Sequence, residues 1–478
     1  MKKICFLFCS LLFLGIVTVR AQYTVLHNFN DTSGADPRGS LTLVNNVLYG
    51  MTEAGGAKDS GCIFSIDTNG NDYKDILDFS GGNGVEPYGS LVFSGNKLYG
   101  MTSGAGVTFG NIFSIDTNGH NFKVLLAFNG LNGSQPFGSL TLSGNRLYGM
   151  THVGGSGGPA DSGCVFAIDT DGSRYKDLLD FTGTNGRFPE SSLTLSGSKL
   201  YGMTVNGGAF YIHGCIFSID TGGANYKDLH DFSGASGENP WGALTLLDNT
   251  LYGMTLLGGA NDSGCIFSID TSGSGYTNLF SFGGKNGGWP FGSLTPWGSV
   301  LYGMTYNGGA NDYGCIFAIN SNGSGYKNLY NFNDTISGKS AWGSLTFSGK
   351  KFYGMTSEGG KDSDGVIFSF KSTAITNSIN ELSATEGIIN VYPNPNNGSF
   401  TLICHSVLPQ AGEESLSIIQ VYNVFGEQIL TETIRPALGG TQGDNTVDIS
   451  NQPNGIYLYR VVEEDGSLLG EGKLLIQK

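Results

Sequence analysis

Short runs of alternating apolar and polar residues, separated by glycine-rich segments, recur along the chain from Gln22 to about Ser372. The most regular run is Leu48-Tyr49-Gly50-Met51-Thr52, whose tyrosine returns six times at intervals of 50, 49, 53, 51, 50 and 51 residues, as Tyr99, Tyr148, Tyr201, Tyr252, Tyr302 and Tyr353. A fixed period near 50 residues indicates a tandem repeat with seven copies.

Three further runs keep the same period. Their examples are Gly138 to Leu142 before the tyrosine motif, Cys62 to Asp67 after it, and Tyr175 to Phe181 at the end of a copy. All are rich in β-branched or aromatic residues and are bounded by Gly, Asn, Asp, Ser or Pro, which is typical of strands. Each copy therefore predicts four short strands.

The chain ends favour a closed ring over an open solenoid. The last copy stops after Gly365 to Phe370 and lacks the fourth strand, whereas Tyr23 to Phe29 supplies such a strand at the start. Seven four-stranded units fall within the range of β-propellers, and a solenoid would need polar capping repeats at both ends. We therefore predict an all-β fold: a seven-bladed β-propeller whose N-terminal strand latches the last blade, followed by a small Ig-like β-sandwich.

The loops give this ring two unlike faces. Tight turns such as Ser94-Gly95-Asn96 and Asp67-Thr68-Asn69-Gly70 alternate with longer segments such as 53–61 and 80–87. Because successive strands of a blade run antiparallel, both short turns lie on one rim and both long loops on the other. The long-loop face is the predicted functional face, since functional residues concentrate on loops.

Composition and charge exclude several classes. The 77 glycines argue against long helices, the 13 prolines and absent triplet period exclude collagen, and 12% aromatic residues argue against disorder. With 25 Lys and Arg against 40 Asp and Glu, the net charge is −15. Nucleic acid is therefore not an expected partner, because phosphate binding needs clustered basic residues.

Residues 1–21 are predicted to be a signal peptide. Lys2 and Lys3 precede the apolar run Ile4 to Val19, and Val19-Arg20-Ala21 offers small residues at the cleavage positions. The run is shorter than the roughly 20 residues of a bilayer span. We expect cleavage, a mature chain without a transmembrane anchor, and export through the inner membrane.

The repeat, residues 22–372, resembles the GloVer tandem repeat of bacterial surface and secreted proteins. The resemblance rests on the strand order, the period and the Leu-Tyr-Gly-x-Thr motif followed by a glycine pair, as in Leu251 to Thr255 and Gly258-Gly259. More distantly, the units are similar to kelch blades. This resemblance implies a propeller fold and no particular ligand or activity.

The period stops after Ser372, and 373–386 is predicted to be a linker. Residues 387–478 contain six or seven short predicted strands and resemble a type IX secretion (Por) C-terminal sorting domain, type A. The motif residues that carry this resemblance are Tyr392, Pro393, Asn394, Pro395, Gly398, Gly426, Gly455, Tyr457 and Lys473. The resemblance implies the outer-membrane secretion machinery as partner and a cell-surface or extracellular destination; an ordinary Ig-like adhesion module is the alternative.

Residues that suggest chemistry mostly have simpler explanations. Five cysteines occupy one repeat position and are interpreted as small buried hydrophobes: Cys62, Cys164, Cys215, Cys265 and Cys315. The Asp67 to Asp72 segment resembles a calcium loop but lacks its distal glutamate. We predict no metal, no cofactor and no catalytic residue; Phe210 to His213, which breaks the repeat, is a weak candidate site.

A stronger candidate is the aromatic residue that ends each inter-blade loop. It is Tyr88, Phe137, Trp241, Phe291 and Trp342 in five copies, with Arg38 and Glu190 in the other two. These side chains either bind a sugar ring or a protein partner, or wedge between blades as packing. Both interpretations stay open at this stage.

These observations predict an exported, non-enzymatic propeller that binds a glycan or a protein. Two alternatives come from other classes. A carbohydrate-active enzyme would place two non-repeated carboxylates near the axis of the long-loop face, and a purely structural surface scaffold would have neither carboxylates nor an exposed ring there.

Overall fold

The computed structural model describes residues 22–104, 109–156, 162–349 and 351–372 of the repeat. In the C-terminal region it describes 389–392, 399–404, 417–423, 428–434, 445–453, 455–463 and 468–476. The predicted signal peptide and linker lie outside these ranges. The chain divides into two compact units, Met1–Ile375 and Thr376–Lys478, and the domain boundaries expected at 372 and 387 stay a prediction.

The first unit contains seven four-stranded antiparallel sheets, called blades 1 to 7. Blade 1 comprises β2 (Thr42–Val44), β3 (Val47–Thr52), β4 (Cys62–Asp67) and β5 (Lys74–Asp78). Blade 2 comprises β6 (Val92–Ser94), β7 (Lys97–Thr102), β8 (Asn111–Asp116) and β9 (Lys123–Ala127). Blade 3 comprises β10 (Thr141–Ser143), β11 (Arg146–Thr151), β12 (Cys164–Asp169) and β13 (Lys176–Asp180).

The remaining blades follow the same order. Blade 4 comprises β14 (Thr194–Ser196), β15 (Lys199–Thr204), β16 (Cys215–Asp220) and β17 (Lys227–Asp231). Blade 5 comprises β18 (Thr245–Leu247), β19 (Thr250–Thr255), β20 (Cys265–Asp270) and β21 (Thr277–Ser281), and blade 6 comprises β22 (Thr295–Trp297), β23 (Val300–Met304), β24 (Cys315–Asn320) and β25 (Lys327–Asn331). Short helical turns occur at Asp31–Ser33 and Asp334–Ser337.

Blade 7 is built from both ends of the repeat. It comprises β26 (Thr346–Ser348), β27 (Lys351–Thr356), β28 (Val366–Lys371) and the N-terminal strand β1 (Gln22–Asn28). Strand β1 pairs antiparallel with β28 and aligns Tyr23 with Phe370. The predicted N-terminal latch is therefore present.

Hydrophobic side chains join each blade to the next. In the core between blades 1 and 2, Tyr49, Met51 and Ile63 of blade 1 pack against Leu98 and Phe113 of blade 2. The equivalent cluster between blades 7 and 1 contains Tyr353, Met355 and Ile367 together with Leu48 and Phe64. The last blade thus packs on the first in the same way as on its other neighbour, which closes the ring.

The first strands meet at the axis through a belt of serine hydrogen bonds. The backbone N–H of Ser40 donates to Ser90 Oγ (2.7 Å), and Ser344 N–H donates to Ser40 Oγ (2.8 Å) across the closure. Equivalent bonds of 2.7 to 2.8 Å link Ser90 to Ser139, Ser139 to Ser192, Ala243 to Ser293 and Ser293 to Ser344. Ser192 faces Ala243, which has no hydroxyl to accept, so the belt is interrupted between blades 4 and 5.

Glycine precedes the serine belt because the strands approach too closely for a side chain. A Cβ on Gly39 would lie 2.3 Å from Gly89 O, and a Cβ on Gly292 would lie 2.3 Å from Gly343 O. Blade 4 alone among the blades has a larger residue there, Ser191, whose hydroxyl donates to Met203 O (3.2 Å).

The second unit contains two antiparallel sheets. One comprises β29 (Ile389–Tyr392), β30 (Ser399–Cys404) and β33 (Asn445–Asp448), and the other comprises β32 (Gln428–Ile434), β31 (Ser417–Asn423), β34 (Gly455–Glu463) and β35 (Leu468–Ile476). Val447 of the first sheet shares a buried core with Ile419 and Val461 of the second. This layering agrees with a sandwich, although the sequence pattern did not predict Gln428–Ile434, and the Ig-like designation stays a prediction.

Completing the serine belt should stabilise the ring. In Ala243→Ser the new hydroxyl accepts from Ser192 N–H, and one such bond contributes about 0.5–1.5 kcal/mol to the free energy of unfolding. We expect Tm to rise by about 1–3 °C in thermal unfolding. Ser139→Ala, which removes an existing bond of the belt, should lower Tm; a fall in Tm for both variants would contradict this account of the belt.

Candidate functional site

The loop that enters each blade is held by a repeated backbone conformation. Glu86 and Asn239, two residues before the candidate aromatic position, have φ of 55° and 53°, and a proline follows each. The N–H of Glu86 donates to Ser60 O of blade 1's loop (3.2 Å), and its carbonyl accepts from Ser103 N–H of its own blade (3.1 Å). The side chain two residues further on, Tyr88 or Trp241, is thereby placed just before the first strand, beside the axis.

Seven side chains hold this position, and we call them the axial ring. In blade order they are Arg38, Tyr88, Phe137, Glu190, Trp241, Phe291 and Trp342. All seven residues are partly buried. The five predicted aromatic residues therefore do come together at one end of the ring, neither sealed in the core nor fully exposed.

One side of the axial ring is a compact aromatic cluster. Phe291 stacks on Trp342 with ring centroids 3.9 Å apart, and Trp241 approaches both rings edge-on at 5.1 and 5.6 Å. Tyr306 adds an edge contact to Phe291 at 5.2 Å. Edge-to-face and offset-stacked pairs are the favoured arrangements of aromatic rings.

The opposite side is smaller. Tyr88 and Phe137 meet edge-on at 4.7 Å, and His152 lies 5.0 Å from Phe137. His152 also stacks on Phe188 at 4.8 Å. Phe188 precedes Glu190 by two residues, so this cluster ends at the acidic position of the axial ring.

Arg38 joins the two clusters. Its guanidinium carbon lies 4.7 Å from the ring centroids of both Tyr88 and Trp342. The guanidinium also forms ion pairs with Asp36 (2.9 Å) and with Glu53. A cation over an aromatic face is favourable because the face carries partial negative charge.

Glu53 is a second unusual group beside this arginine. Its Oε1 accepts a hydrogen bond from the Tyr88 hydroxyl (2.7 Å). Burial, with the neighbouring Asp36 carboxyl, raises the pKa of Glu53 to about 7 despite Arg38 and Tyr88.

Glu190 is more deeply buried, with 6% of its side chain exposed. Its Oε1 lies 3.1 Å from His152 Nδ1. Burial raises the pKa of Glu190, and the His152 contact opposes this rise.

Sequence reasoning missed three residues that touch the axial ring: Glu53, His152 and Tyr306. They belong to the set of residues that directly follow the threonine of each tyrosine motif, which is Glu53, Ser103, His152, Val205, Leu256, Tyr306 and Ser357. The sequence did contain a signal for these residues. When the seven copies are aligned, this position changes from copy to copy while the positions before it stay the same, so the fold does not require a particular residue there.

The repeated cysteines are buried and free, as interpreted from the sequence. Burial raises the pKa of the Cys62, Cys164 and Cys215 thiols to about 12. Such thiols are protonated and unreactive at neutral pH.

Asp67 lies in the segment that is similar to a calcium loop. Its carboxylate accepts hydrogen bonds from the backbone N–H of Asn69 (2.8 Å) and of Asn71 (2.7 Å), so the turn itself uses this carboxylate.

Three blades place two aspartates together on the fourth strand: Asp75 and Asp78, Asp177 and Asp180, and Asp228 and Asp231. In blade 4, ligand atoms of this pair and Cys215 lie within 4.8 Å of one another. The second aspartate has a structural role, because Asp78 Oδ1 accepts from Ala57 N–H (2.7 Å) in the loop before the third strand. We assign no metal to these groups.

The segment that breaks the repeat in blade 4 is exposed. Phe210, Tyr211 and Ile212 are 53%, 60% and 59% exposed. The Arg187 guanidinium lies over the rings of Phe188 (4.0 Å) and Tyr211 (5.0 Å). His213 contacts Glu238 and does not join the axial ring.

The sorting-domain motif is only partly described. Gly455 and Tyr457 lie in β34, and the Tyr457 hydroxyl donates to Pro453 O (2.9 Å). Tyr392 and Lys473 lie in β29 and β35. Pro393, Asn394, Pro395, Gly398 and Gly426 fall outside the described residues.

Seven four-stranded sheets around an axis define a β-propeller. A family model described as the Gloeobacter/Verrucomicrobia repeat matches residues 15–211, 155–295 and 208–394, and the chain belongs to this family. The model of the secretion system C-terminal sorting domain matches residues 390–477. The tail therefore indicates export by the type IX system to the cell surface or the extracellular space.

Solved propellers share low sequence identity with the chain. The propeller domain of the trilobed protease from Pyrococcus furiosus is 10% identical, with 71% of this chain and 97% of that chain covered and a TM-score of 0.45. The GH74 enzyme of Niastella koreensis is 13% identical, with 92% and 72% covered and a TM-score of 0.44. TolB from Acinetobacter baumannii is 16% identical, with 62% and 63% covered and a TM-score of 0.37.

The chain thus spans less than two thirds of the TolB chain. At these identities the similarities say nothing about ligand or activity. No curated protein matches the chain. Within the described ranges, no helix has the length and apolar character that crossing a membrane requires.

The aspartate pairs should make stability depend on pH. Burial and the nearby Asp78 carboxylate raise the pKa of Asp75 to about 6, above its ordinary value of 3.8. The folded protein therefore binds this proton more tightly than the unfolded chain, and stability falls as pH rises from about 4 to about 6. Asparagine fits this position, because blade 6 has Asn328, whose Nδ2 donates to Asn331 Oδ1 (2.8 Å).

We expect Asp75→Asn to raise Tm relative to the parent protein at about pH 7.5, and to raise it clearly less at about pH 4.5, where the folded protein still holds the proton. Because the Asp75 side chain is only partly desolvated and keeps much of its contact with solvent, the expected gain at the higher pH is small, about 1 °C. Asp72→Asn, an equal charge change without a paired carboxylate, is the control. A gain in Tm for Asp75→Asn that is the same at both pH values would refute the explanation that the raised pKa of Asp75 causes it.

Proposed function

We propose that this exported propeller is a non-enzymatic binding module whose axial ring contacts a glycan or a protein ligand. The observation that carries the proposal is the set of five aromatic side chains held partly exposed at one end of the axis. Aromatic faces provide large contact areas at little cost in side-chain entropy, which suits both sugar rings and protein anchors.

The variety of the axial ring supports binding over packing alone. Core positions keep one residue type around the ring, such as Phe64, Phe113 and Phe166. The axial ring instead has Arg, Tyr, Phe, Glu and Trp on an equivalent backbone. A position that served packing alone would have no reason to vary in size and charge within an otherwise constant repeat.

A glycan is favoured over a protein because charged groups border the rings. Glu53, Asp36 and Arg38 lie beside Tyr88 and Trp342, where sugar hydroxyls could bond to them while a sugar face stacks on a ring. Carbohydrate recognition needs this combination of flat apolar contact and edge hydrogen bonds, as small-ligand sites generally do.

A glycosidase is the second candidate function, and two carboxylates favour it. Glu53 and Glu190 each occupy a column where other copies have different residues, and both contact the axial ring or belong to it. The pKa of Glu53, raised to about 7, suits a general acid near neutral pH.

The test of binding uses a glycan array with the full chain and two tryptophan variants. Trp342→Ala removes the stack on Phe291, and we expect about tenfold or more loss of affinity for any captured glycan. Trp297→Ala is the matched control, because Trp297 packs on Phe347 (4.0 Å) at the end of β22, before a short turn.

Each outcome of this test decides between the candidates. Binding that survives Trp342→Ala, with both variants folded by circular dichroism, would refute a role for the axial ring. Release of free sugar from a captured glycan, lost in Glu53→Gln or Glu190→Gln, would replace the binding module with the enzyme.

Export is tested by removing the C-terminal region. Because the sorting domain is the signal for crossing the outer membrane, a protein without residues 387–478 should be retained in the periplasm. Immunodetection on intact cells and in the medium measures this. Undiminished surface or extracellular protein would show that the tail is not the sorting signal.

A further inference from the structure

The axial ring has one break, at Glu190. From Phe137 the contacts run through Tyr88, Arg38 and Trp342 to Phe291 and Trp241. Among the described residues, Phe137 and Trp241 make no ring contact with each other. Glu190 stands between them in the blade order, so the continuous series of rings opens at an acidic residue.

One oxygen of Glu190 lacks a partner within the described part of the chain. Oε1 faces His152, whereas Oε2 is buried and accepts no hydrogen bond there. A desolvated carboxylate oxygen without a donor is costly, and a fully formed charge pair would offset that cost. Its raised pKa reflects the same lack of compensation.

Arg38 shows how this ring accommodates a cation. Its guanidinium lies over the aromatic residues of the neighbouring blades on both sides, Tyr88 and Trp342, each at 4.7 Å, and pairs with carboxylates. The neighbours of Glu190 are also aromatic, Phe137 and Trp241. Among the described residues, His152 faces one oxygen of this carboxylate and no Lys or Arg forms an ion pair with it, so a cation for the other oxygen would come from a ligand.

We propose that Glu190, with Phe137 and Trp241 on either side, forms a subsite for the protonated primary amine of an amino sugar. This inference rests on the proposed glycan-binding function. A primary ammonium has N–H groups that can donate to Oε2, which a trimethylated ammonium lacks. It is also small enough to reach the carboxylate of a side chain that is only 6% exposed. An aromatic ring attracts the same charge, as the rings beside Arg38 do.

A neutral sugar satisfies this site less well. A hydroxyl can donate to Oε2, but it cannot compensate the carboxylate charge, and charge-assisted hydrogen bonds are roughly twice as strong as neutral ones. The net charge of −15 also favours the approach of a cationic ligand.

The experiment is titration calorimetry of the full chain with two tetrasaccharides that share one backbone, one of glucosamine and one of N-acetylglucosamine. We expect at least about tenfold tighter binding of the glucosamine form at physiological ionic strength. Glu190→Gln, which keeps the shape of the side chain, should abolish this preference, so that the two tetrasaccharides bind with equal affinity. Glu86→Gln, which removes an equal charge from an exposed residue of the same loop face, is the control.

A primary amine can come from an amino sugar or from a lysine side chain of a protein, and tetralysine is the third ligand that distinguishes these two sources. Tetralysine that binds as tightly as the glucosamine form and depends on Glu190 would overturn the amino-sugar assignment. Equal affinity for both tetrasaccharides, or equal effects of Glu190→Gln and Glu86→Gln, would overturn the subsite and leave glycan binding intact. Failure of the parent protein to bind the glucosamine form would also overturn the subsite, whereas the glycan array decides the proposed function independently.

Discussion

The close approach of seven first strands at the axis is the constraint on which the rest of the structure depends. Six of the seven blades have glycine just before these strands, where a Cβ on Gly89, for example, would lie 2.4 Å from Gly138 O. The serine belt then links the strands from blade to blade, including Ser344 to Ser40 across the closure. A second belt follows, in which Thr42 Oγ1 donates to Leu91 O (2.5 Å) and Thr346 Oγ1 donates to Leu41 O (2.6 Å). Such short bonds between neighbouring strands fix the diameter of the ring.

This fixed backbone explains why the axial ring can vary. Each ring residue directly precedes the glycine position, and its loop is held on both sides by backbone hydrogen bonds, as at Asn239, which donates to His213 O (3.0 Å) and accepts from Leu256 N–H (3.1 Å). These backbone bonds do not depend on which side chain stands at the next-but-one position. Changing its size or charge alters the surface at the axis without altering the frame, which is the usual division between scaffold and binding residues.

Most of the fold was predictable because the same pattern of strands and turns occurs in seven copies of the repeat. The period, the turn residues and the missing fourth strand near Phe370 together predicted the sheets and the N-terminal latch. The contacts of the axial ring were not predictable in the same way, since Arg38 meets Trp342 from the other end of the repeat. Glu53 and His152 were missed because a single variable column looks like a loop until the ring brings it to the axis. Gln428–Ile434 was missed because its polar residues obscure the alternation.

Two departures from the repeat occur at the seam between blades 4 and 5, and both lie close to Glu190 in the sequence or next to it across the seam. Ser191 replaces the glycine beside it, Ala243 removes the serine-belt bond between these blades, and the Thr194 hydroxyl bond to Leu244 O (2.6 Å) remains as the direct link of this kind. The seam between blades 2 and 3 shows the converse, because Val92 removes its threonine bond and Ser90 keeps its serine bond (2.7 Å). The missing serine bond between blades 4 and 5 and the missing threonine bond between blades 2 and 3 lie at different heights. The serine belt lies next to the axial ring, whereas the threonine belt lies farther along the strands. The serine-belt bond next to the axial ring is therefore lost at the same seam where Glu190 interrupts the aromatic series, and the threonine bond farther along the strands is kept.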